Sequence, residues 1–298
     1  MDGSKKVAII TRTKDRPLLL KRAIASVASQ TYKNYVHIIV NDGGSLEGMT
    51  LVNGTIVVPI NSGGFMEAAS NAGLDAAKNI DAEFVVIHDD DDSWSPEFLS
   101  IMVREFETYR RLVPTVNGII CRANVVFERI DGNVIITDRI QPHAPFLPEI
   151  GLLRLSDILD DRRNFAPIQF MYRLEAIDTV GQYDPTFRVY GDWDFNLRFL
   201  QHFDIALIPN YLAFYHQRIA AAGSDANSIH EVDRTLQREV YRQMIQNKYL
   251  RTGGIGTLMN LPIDQIFQQL HQVQHQVHEL KTIIEGDRKR AKRTSTSH

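Results

Sequence analysis

The sequence predicts an α/β protein, a doubly wound and mostly parallel sheet followed by a helical extension. Val7–Ile10, a helix from Pro17 to about Gln30, and Tyr35–Val40 follow one another closely enough to form a βαβ unit. The apolar run Phe84-Val85-Val86-Ile87-His88 breaks into Asp89-Asp90-Asp91-Asp92. It reads as a buried strand that delivers negative charge to its carboxyl end, where open α/β sheets bind ligands. Near the other end, Ile263, Ile266, Leu270, Val273, Val277, Leu280 and Ile284 alternate steps of three and four, a heptad seam. Two parts are therefore expected: a catalytic or binding domain over residues 1–225, and an extension over 226–298 that carries the seam at 263–284 and a basic tail.

The elements follow in order. Pro17 suits a first helical turn, and Leu20, Ile24 and Val27 give the helix an apolar stripe. After the second strand, Asn41-Asp42-Gly43-Gly44 makes a turn in which glycine permits positive φ. Thr55–Val58 is a third strand, Phe65–Lys78 a helix, and Phe98, Met102 and Phe106 sit at helical spacing between Pro96 and Arg110. Val116–Ile136 predicts a hairpin turning at Asp131-Gly132-Asn133. Residues 142–166, with three prolines, read as a border or insertion outside the core, within which the acids of 157–163 form a solvated, ion-paired helix face. A short helix ends at Gly181, and Gly191-Asp192-Trp193-Asp194 opens another, whose dipole both acids complement as caps. Ile205–Pro209 and Tyr211–His216 are two short strands, and Ala220–Ser224 a mobile loop.

Bulk properties narrow the function. With 33 basic and 36 acidic residues the net charge is −3, which gives no global reason to bind nucleic acid. The single cysteine, Cys121, lies in an apolar run and reads as a small core residue. No apolar run approaches the roughly 20 residues that span a bilayer, and Met1–Lys6 lead into no apolar signal segment, so a cytoplasmic protein is expected. Four adjacent carboxylates repel one another and stay together around positive charge or in a well-solvated loop. A divalent cation is the expected partner.

Several motifs stand in a telling order: Thr11 and Thr13 on the first strand; Ser26-Val27-Ala28-Ser29-Gln30-Thr31-Tyr32; Val40-Asn41-Asp42-Gly43-Gly44; the acid run with Trp94 and Pro96; and Gly191-Asp192-Trp193-Asp194 before Arg198. Over residues 5–218 the chain thereby resembles the inverting family 2 glycosyltransferases, whose catalytic domain is a nucleotide-sugar-binding α/β fold termed GT-A. The resemblance implies Thr11, Thr13, Arg16 and Asp42 around the base and ribose, with UDP as the favoured nucleotide. Asp89 is implied near the ribose or a metal-bound water, Asp91 as ligand of Mn²⁺ or Mg²⁺ with His216 completing the shell, and Asp192 as the base that activates the acceptor. Trp94 and Trp193, beside the two acidic motifs, are open to packing or to stacking on a sugar.

Two departures stand out. Ser70 precedes Asn71 where the family often has arginine, which leaves Arg12, Lys14 and Arg16 as substitutes. Gly191 precedes Asp192 where the family usually has glutamate. The implied activity moves a sugar from a nucleotide-sugar donor to a hydroxyl of a glycan or lipid-linked acceptor, as in surface polysaccharide synthesis. The narrow seam implies pairing with another helix, of a second chain by preference, giving a homo-oligomer, or else of the catalytic domain. Arg288-Lys289-Arg290 with Lys292-Arg293 reads by default as a solvated tail, with peripheral contact to an anionic membrane as the alternative. A sugar-phosphate nucleotidyltransferase is the rival, weakened because Thr11–Pro17 contains no glycine for a phosphate loop; a non-catalytic scaffold on a decayed domain is another.

Overall fold

The structure is a computed structural model that describes residues 6–61, 63, 65–143, 148, 150–159, 164–218, 227, 236–251, 266, 269–277 and 280–281. The chain divides into two units between Arg242 and Gln243. The predicted loop at 220–224, the acids of 160–163, the seam ends Ile263 and Ile284, and the basic tail lie outside the described residues.

The first unit begins with β1 (Val7–Thr13), α1 (Pro17–Ala28), β2 (Tyr35–Asn41), β3 (Ile56–Pro59), α2 (Met66–Lys78) and β4 (Phe84–Asp89). β1 pairs in parallel with both β2 and β4, and β2 pairs in parallel with β3. Val7 to Ile10 and Phe84 to Ile87 are buried on both faces, as continuous apolar runs in a parallel sheet must be. α1 turns Leu19, Leu20, Ala23, Ile24 and Val27 inward. α2 lies so close to β1 that a Cβ on Gly73 would come within 2.3 Å of Ile10.

The chain continues through β5 (Ser93–Trp94), α3 (Phe98–Leu112) and the predicted hairpin, β6 (Val116–Asp131) with β7 (Val134–Pro142). Then come β8 (Gly151–Leu152), α4 (Leu155–Ile158), β9 (Phe170–Arg173), α5 (Ile177–Val180), α6 (Gly191–Leu200), β10 (Asp204–Gln217) and α7 (Leu236–Arg251). The sheet order is β3-β2-β1-β4-β9-β6-β10-β5, with β7 on β6 and β8 on β10. β6 and β10 are parallel, whereas β9 runs antiparallel to both of its neighbours and joins the two parallel sets.

Three expectations change. β9 has no counterpart in the sequence reading. The two strands expected over 205–216 are one strand whose register against β6 shifts between Leu207 and Tyr211; Pro209, lacking a donor, falls within that irregularity. The 142–166 stretch enters the core through Leu153, Ile158 and Phe165, all nearly inaccessible, although Asp157 does pair with Arg154 as an ion-paired segment should. No helix among the described residues is long and apolar enough to cross a membrane.

Gly73→Ala should cost about 1–3 kcal/mol, because branched Ile10 in a packed strand has no room to retreat. A clear drop in thermal midpoint checks this.

Candidate active site

The parallel strands end together. Across β1 and β2, Thr13 lies opposite Asn41; across β1 and β4, Arg12 lies opposite Asp89. This register sets an arginine beside the first carboxylate of the acid run. Arg12 Nε donates to Asp89 Oδ1 at 2.8 Å, Nη2 reaches the same oxygen, and Nη1 donates to Ser70 Oγ at 3.0 Å. Of the three substitutes expected for the missing family arginine, Arg12 is thus the one that reaches Ser70.

Each of the other aspartates has its own partner. Asp90 accepts from Thr13 Oγ1 at 2.8 Å and from Arg16 Nη1 at 3.3 Å. Burial, then the charge of Asp91, pushes its carboxyl up to about 7. Asp91 Oδ2 accepts from Arg218 Nη2 and from Asn227 Nδ2, and Arg16 Nη1 stands 3.6 Å away. Asp92 is buried, accepts the backbone N–H of His216 at 2.9 Å, and is held well above the carboxylate range by burial and by Asp91.

Behind the run sits Glu128, an acid on β6 with 4% exposure. Its Oε2 meets Arg22 Nη1 and His216 Nδ1, both at 2.7 Å, and its Oε1 accepts from Arg218 Nη1 at 2.9 Å. Burial alone would raise this carboxyl; hydrogen bonds from His216 and Arg22 outweigh burial and hold it at about 2. His216 is pushed down, first by burial. A neutral imidazole that donates from Nδ1 to Glu128 keeps its Nε2 lone pair, which faces Ser93 Oγ at 2.8 Å.

That carboxylate–histidine pairing is the arrangement that orients metal-binding histidines. The described hydrogen bonds engage one oxygen each of Asp89 and Asp91, and the donor set of hard oxygens with one imidazole fits Mg²⁺ or Mn²⁺. Among the described residues no three His, Cys, Asp or Glu side chains are grouped so as to hold a metal by themselves.

Asp42, at the end of β2, is buried, and its N–H donates to the Thr13 carbonyl at 2.9 Å. The turn after it presses on the β1 loop: a Cβ on Gly44 would lie 2.7 Å from the Asp15 nitrogen. Thr13, Arg16, Asp42, Asp89 and Asp91 therefore border one end of the sheet. Thr11 does not join them at the surface, being fully buried with its hydroxyl 2.8 Å from His37 Nε2.

Asp192, in the first turn of α6, accepts from Asn164 Nδ2 at 3.2 Å. Withdrawal from water raises its carboxyl to about 6, against the Trp193 N–H and the charge of Arg12 and with the charge of Asp89. Asp194 is not a cap: α6 starts from Tyr190 in the left-handed region without a side-chain cap, and Asp194 pairs with Arg198 Nε at 2.9 Å. Both tryptophans pack. Trp94 stacks on Phe98 with centroids 4.2 Å apart, and Trp193 donates Nε1 to the Ile158 carbonyl at 2.7 Å.

The sequence reading missed Arg22, Glu128, Arg218 and Asn227. Glu128, an acid ending the apolar run Val125-Val126-Phe127, was the one visible signal among them.

A mostly parallel mixed sheet of this order, with carboxylates gathered at its strand ends, is an α/β fold of the GT-A type. The family model described as Glycosyl transferase family 2 matches residues 8–178, more than half of the chain, and the chain belongs to that family. It is similar to the uncharacterized glycosyltransferase YwdF of Bacillus subtilis (strain 168), 27% identical over 263 residues that cover 85% of this chain and 86% of that one. Among solved structures it is similar to S. aureus TarS 1–349 in complex with UDP (TM-score 0.55, 15% identity, 89% of this chain and 78% of that one). It is also similar to the Pyrobaculum calidifontis mannosyltransferase PcManGT in complex with GDP-Man and Mn²⁺ (TM-score 0.52, 13% identity, 82% and 64%). The chain spans 65% of another TarS 1–349 structure and 40% of a longer TarS structure. These likenesses share the fold.

The Glu128 carboxyl, held at about 2 against an ordinary 4.5, stabilises the fold above about pH 4.5, and that share is lost as pH falls toward 2. Its size is roughly 3 kcal/mol by linkage. Urea midpoints measured from pH 7 to pH 2 should fall steeply on the acid side, and Glu128→Gln should lower the pH 7 midpoint and flatten that limb.

Proposed function

We propose that this chain transfers a sugar from a nucleotide-sugar donor, UDP-linked by preference, to a hydroxyl of a glycan or lipid-linked acceptor, with inversion at the anomeric carbon. The observation that carries this is the placement of Asp42 and of Asp89 with Asp91 at the strand ends, with Asp192 on α6 close enough for the charges of Arg12 and Asp89 to act on it. The TarS structure with UDP supports the choice of base, and the PcManGT structure with GDP-Man and Mn²⁺ supports the choice of metal.

Asp42, Thr13 and Arg16 hold the nucleoside end, and Arg12 and Arg16 offer positive charge toward the diphosphate. Thr11 acts through the sheet, by keeping β1 ordered against His37. When bound, a divalent cation held by Asp91, with Asp89 and His216 beside it, supplies countercharge for the departing diphosphate. His216 would offer the cation its Nε2, the atom that faces Ser93 Oγ at 2.8 Å. Asp192 accepts the proton of the acceptor hydroxyl as that oxygen bonds to the anomeric carbon. The bond from that carbon to the diphosphate oxygen breaks, its electron pair leaves with the nucleoside diphosphate, and single displacement inverts the centre.

Incubation with UDP-sugars and Mn²⁺ should release UDP. Asp91→Ala and Asp192→Asn should each lower the rate by about 10²–10⁴-fold. Because the base must be ionised, kcat/KM should fall with unit slope below pH about 6. Absence of nucleotide binding, or an Asp192→Asn enzyme of undiminished rate, would overturn the proposal.

In the second unit, Ile266, Leu270, Val273, Val277 and Leu280 all lie in helical residues and are 44–57% exposed. A heptad-spaced apolar stripe of this kind supports pairing with a second copy. Leu270→Asp with Val277→Asp should reduce the mass measured by light scattering to that of a monomer.

A further inference from the structure

Glu67 has no part in the chemistry described so far, yet its surroundings single it out. It stands in the first turn of α2, where an acid normally complements the helix dipole from the surface. Instead the residue is 4% exposed, and its Oε2 is buried without a hydrogen-bond partner among the described residues. A carboxylate in that state is costly unless something completes it.

What it faces is Gly191, the residue before Asp192. A Cβ on Gly191 would come within 2.2 Å of Glu67 Oε1, 2.5 Å of its Cγ and 2.7 Å of its Cδ. The carboxylate therefore lies against the Gly191 backbone, in space that any other residue type would fill. Tyr190, at φ 68°, is one of the few non-glycine residues in the left-handed region, so the chain holds a strained turn where it presents Gly191 to α2. The charges of Arg12, Asp192 and Asp89 act on Glu67, so it stands near both Asp192 and the first carboxylate of the acid run.

A second carboxylate beside Asp192 repels a diphosphate and suits a neutral ligand that offers O–H donors. Two carboxylates side by side match two neighbouring hydroxyls. We propose that Glu67 is an acceptor-binding residue: it accepts a hydrogen bond from the hydroxyl next to the one Asp192 activates, so that the acceptor is a sugar with vicinal hydroxyls. Burial, opposed by Arg12, raises the Glu67 carboxyl to about 7, so near neutrality it both donates and accepts, as a hydroxyl partner allows.

The inference rests on the transferase reading, and the test separates the two. UDP release by the full chain is measured with Mn²⁺ and UDP-glucose, UDP-galactose or UDP-N-acetylglucosamine, with and without methyl glycosides of gluco, galacto and manno configuration. Glu67→Gln, nearly isosteric, should keep the melting temperature and acceptor-free donor hydrolysis, and should raise the acceptor KM by at least about tenfold with kcat much less affected. Gly191→Ala, which pushes Glu67 aside, should likewise raise the acceptor KM, with a lowered melting temperature. Glu67→Ala with Gly191→Asp returns a carboxylate to the same space and should recover acceptor affinity relative to Glu67→Ala. An unchanged acceptor KM in Glu67→Gln overturns the assignment while leaving the transferase intact. So does a wild-type enzyme that hydrolyses donor but gains no rate from any methyl glycoside. A wild type that releases UDP from none of the donors overturns both readings.

Discussion

Four adjacent carboxylates at the end of β4 are the constraint to which the rest of this structure answers. Left bare in a partly dry cleft they would not remain ionised side by side. The chain meets the problem with arginines drawn from distant segments: Arg12 on Asp89, Arg16 between Asp90 and Asp91, Arg22 on the Asp91 carbonyl, and Arg218 on Asp91. Asp92 is accommodated differently, by burial that favours its neutral form. The positive charge that the run demands is thus partly built into the protein. Any cation that joins the site enters a cluster already neutralised in part, which favours an ion that brings its own phosphate and water ligands.

Glu128 is the counterpart of this arrangement. It is as buried as the aspartates around it and ties Arg22, His216 and Arg218 to one carboxylate. Because α1, β6 and the end of β10 each contribute a member, charge pairing here also closes the tertiary structure. Removal of one member of such a buried network strands the others, so its loss costs more than the pairing alone contributes.

The parts of the fold legible in sequence were those where burial writes itself into composition. β1, β2 and β4 are continuous apolar runs, and the acid run and the Asp42 turn sit directly after them. β9 was missed because Phe170–Arg173 is four residues long and identified only by pairing with β4 and β6, strands far away in sequence. Asp194 looked like a cap from its place in the first turn, yet an arginine one turn on claimed it. The countercharges were illegible for a related reason: Arg218 and Asp91 are 127 residues apart, and no local pattern announces a partner at that distance. The order of the acidic motifs was legible; which base answers each acid was not.

Ser70 and Gly191, the two places where the chain departs from the pattern it resembles, share one physical logic. At Ser70 a small side chain stands where a long one is usual, and Arg12 reaches across from β1 to its hydroxyl. At Gly191 there is no side chain, and Glu67 from α2 lies against the backbone. In each case a residue from a neighbouring element brings a like charge to the vacated space. Read by position alone, both sites look like losses; read by the space each side chain fills, each has a neighbour of the same charge beside it.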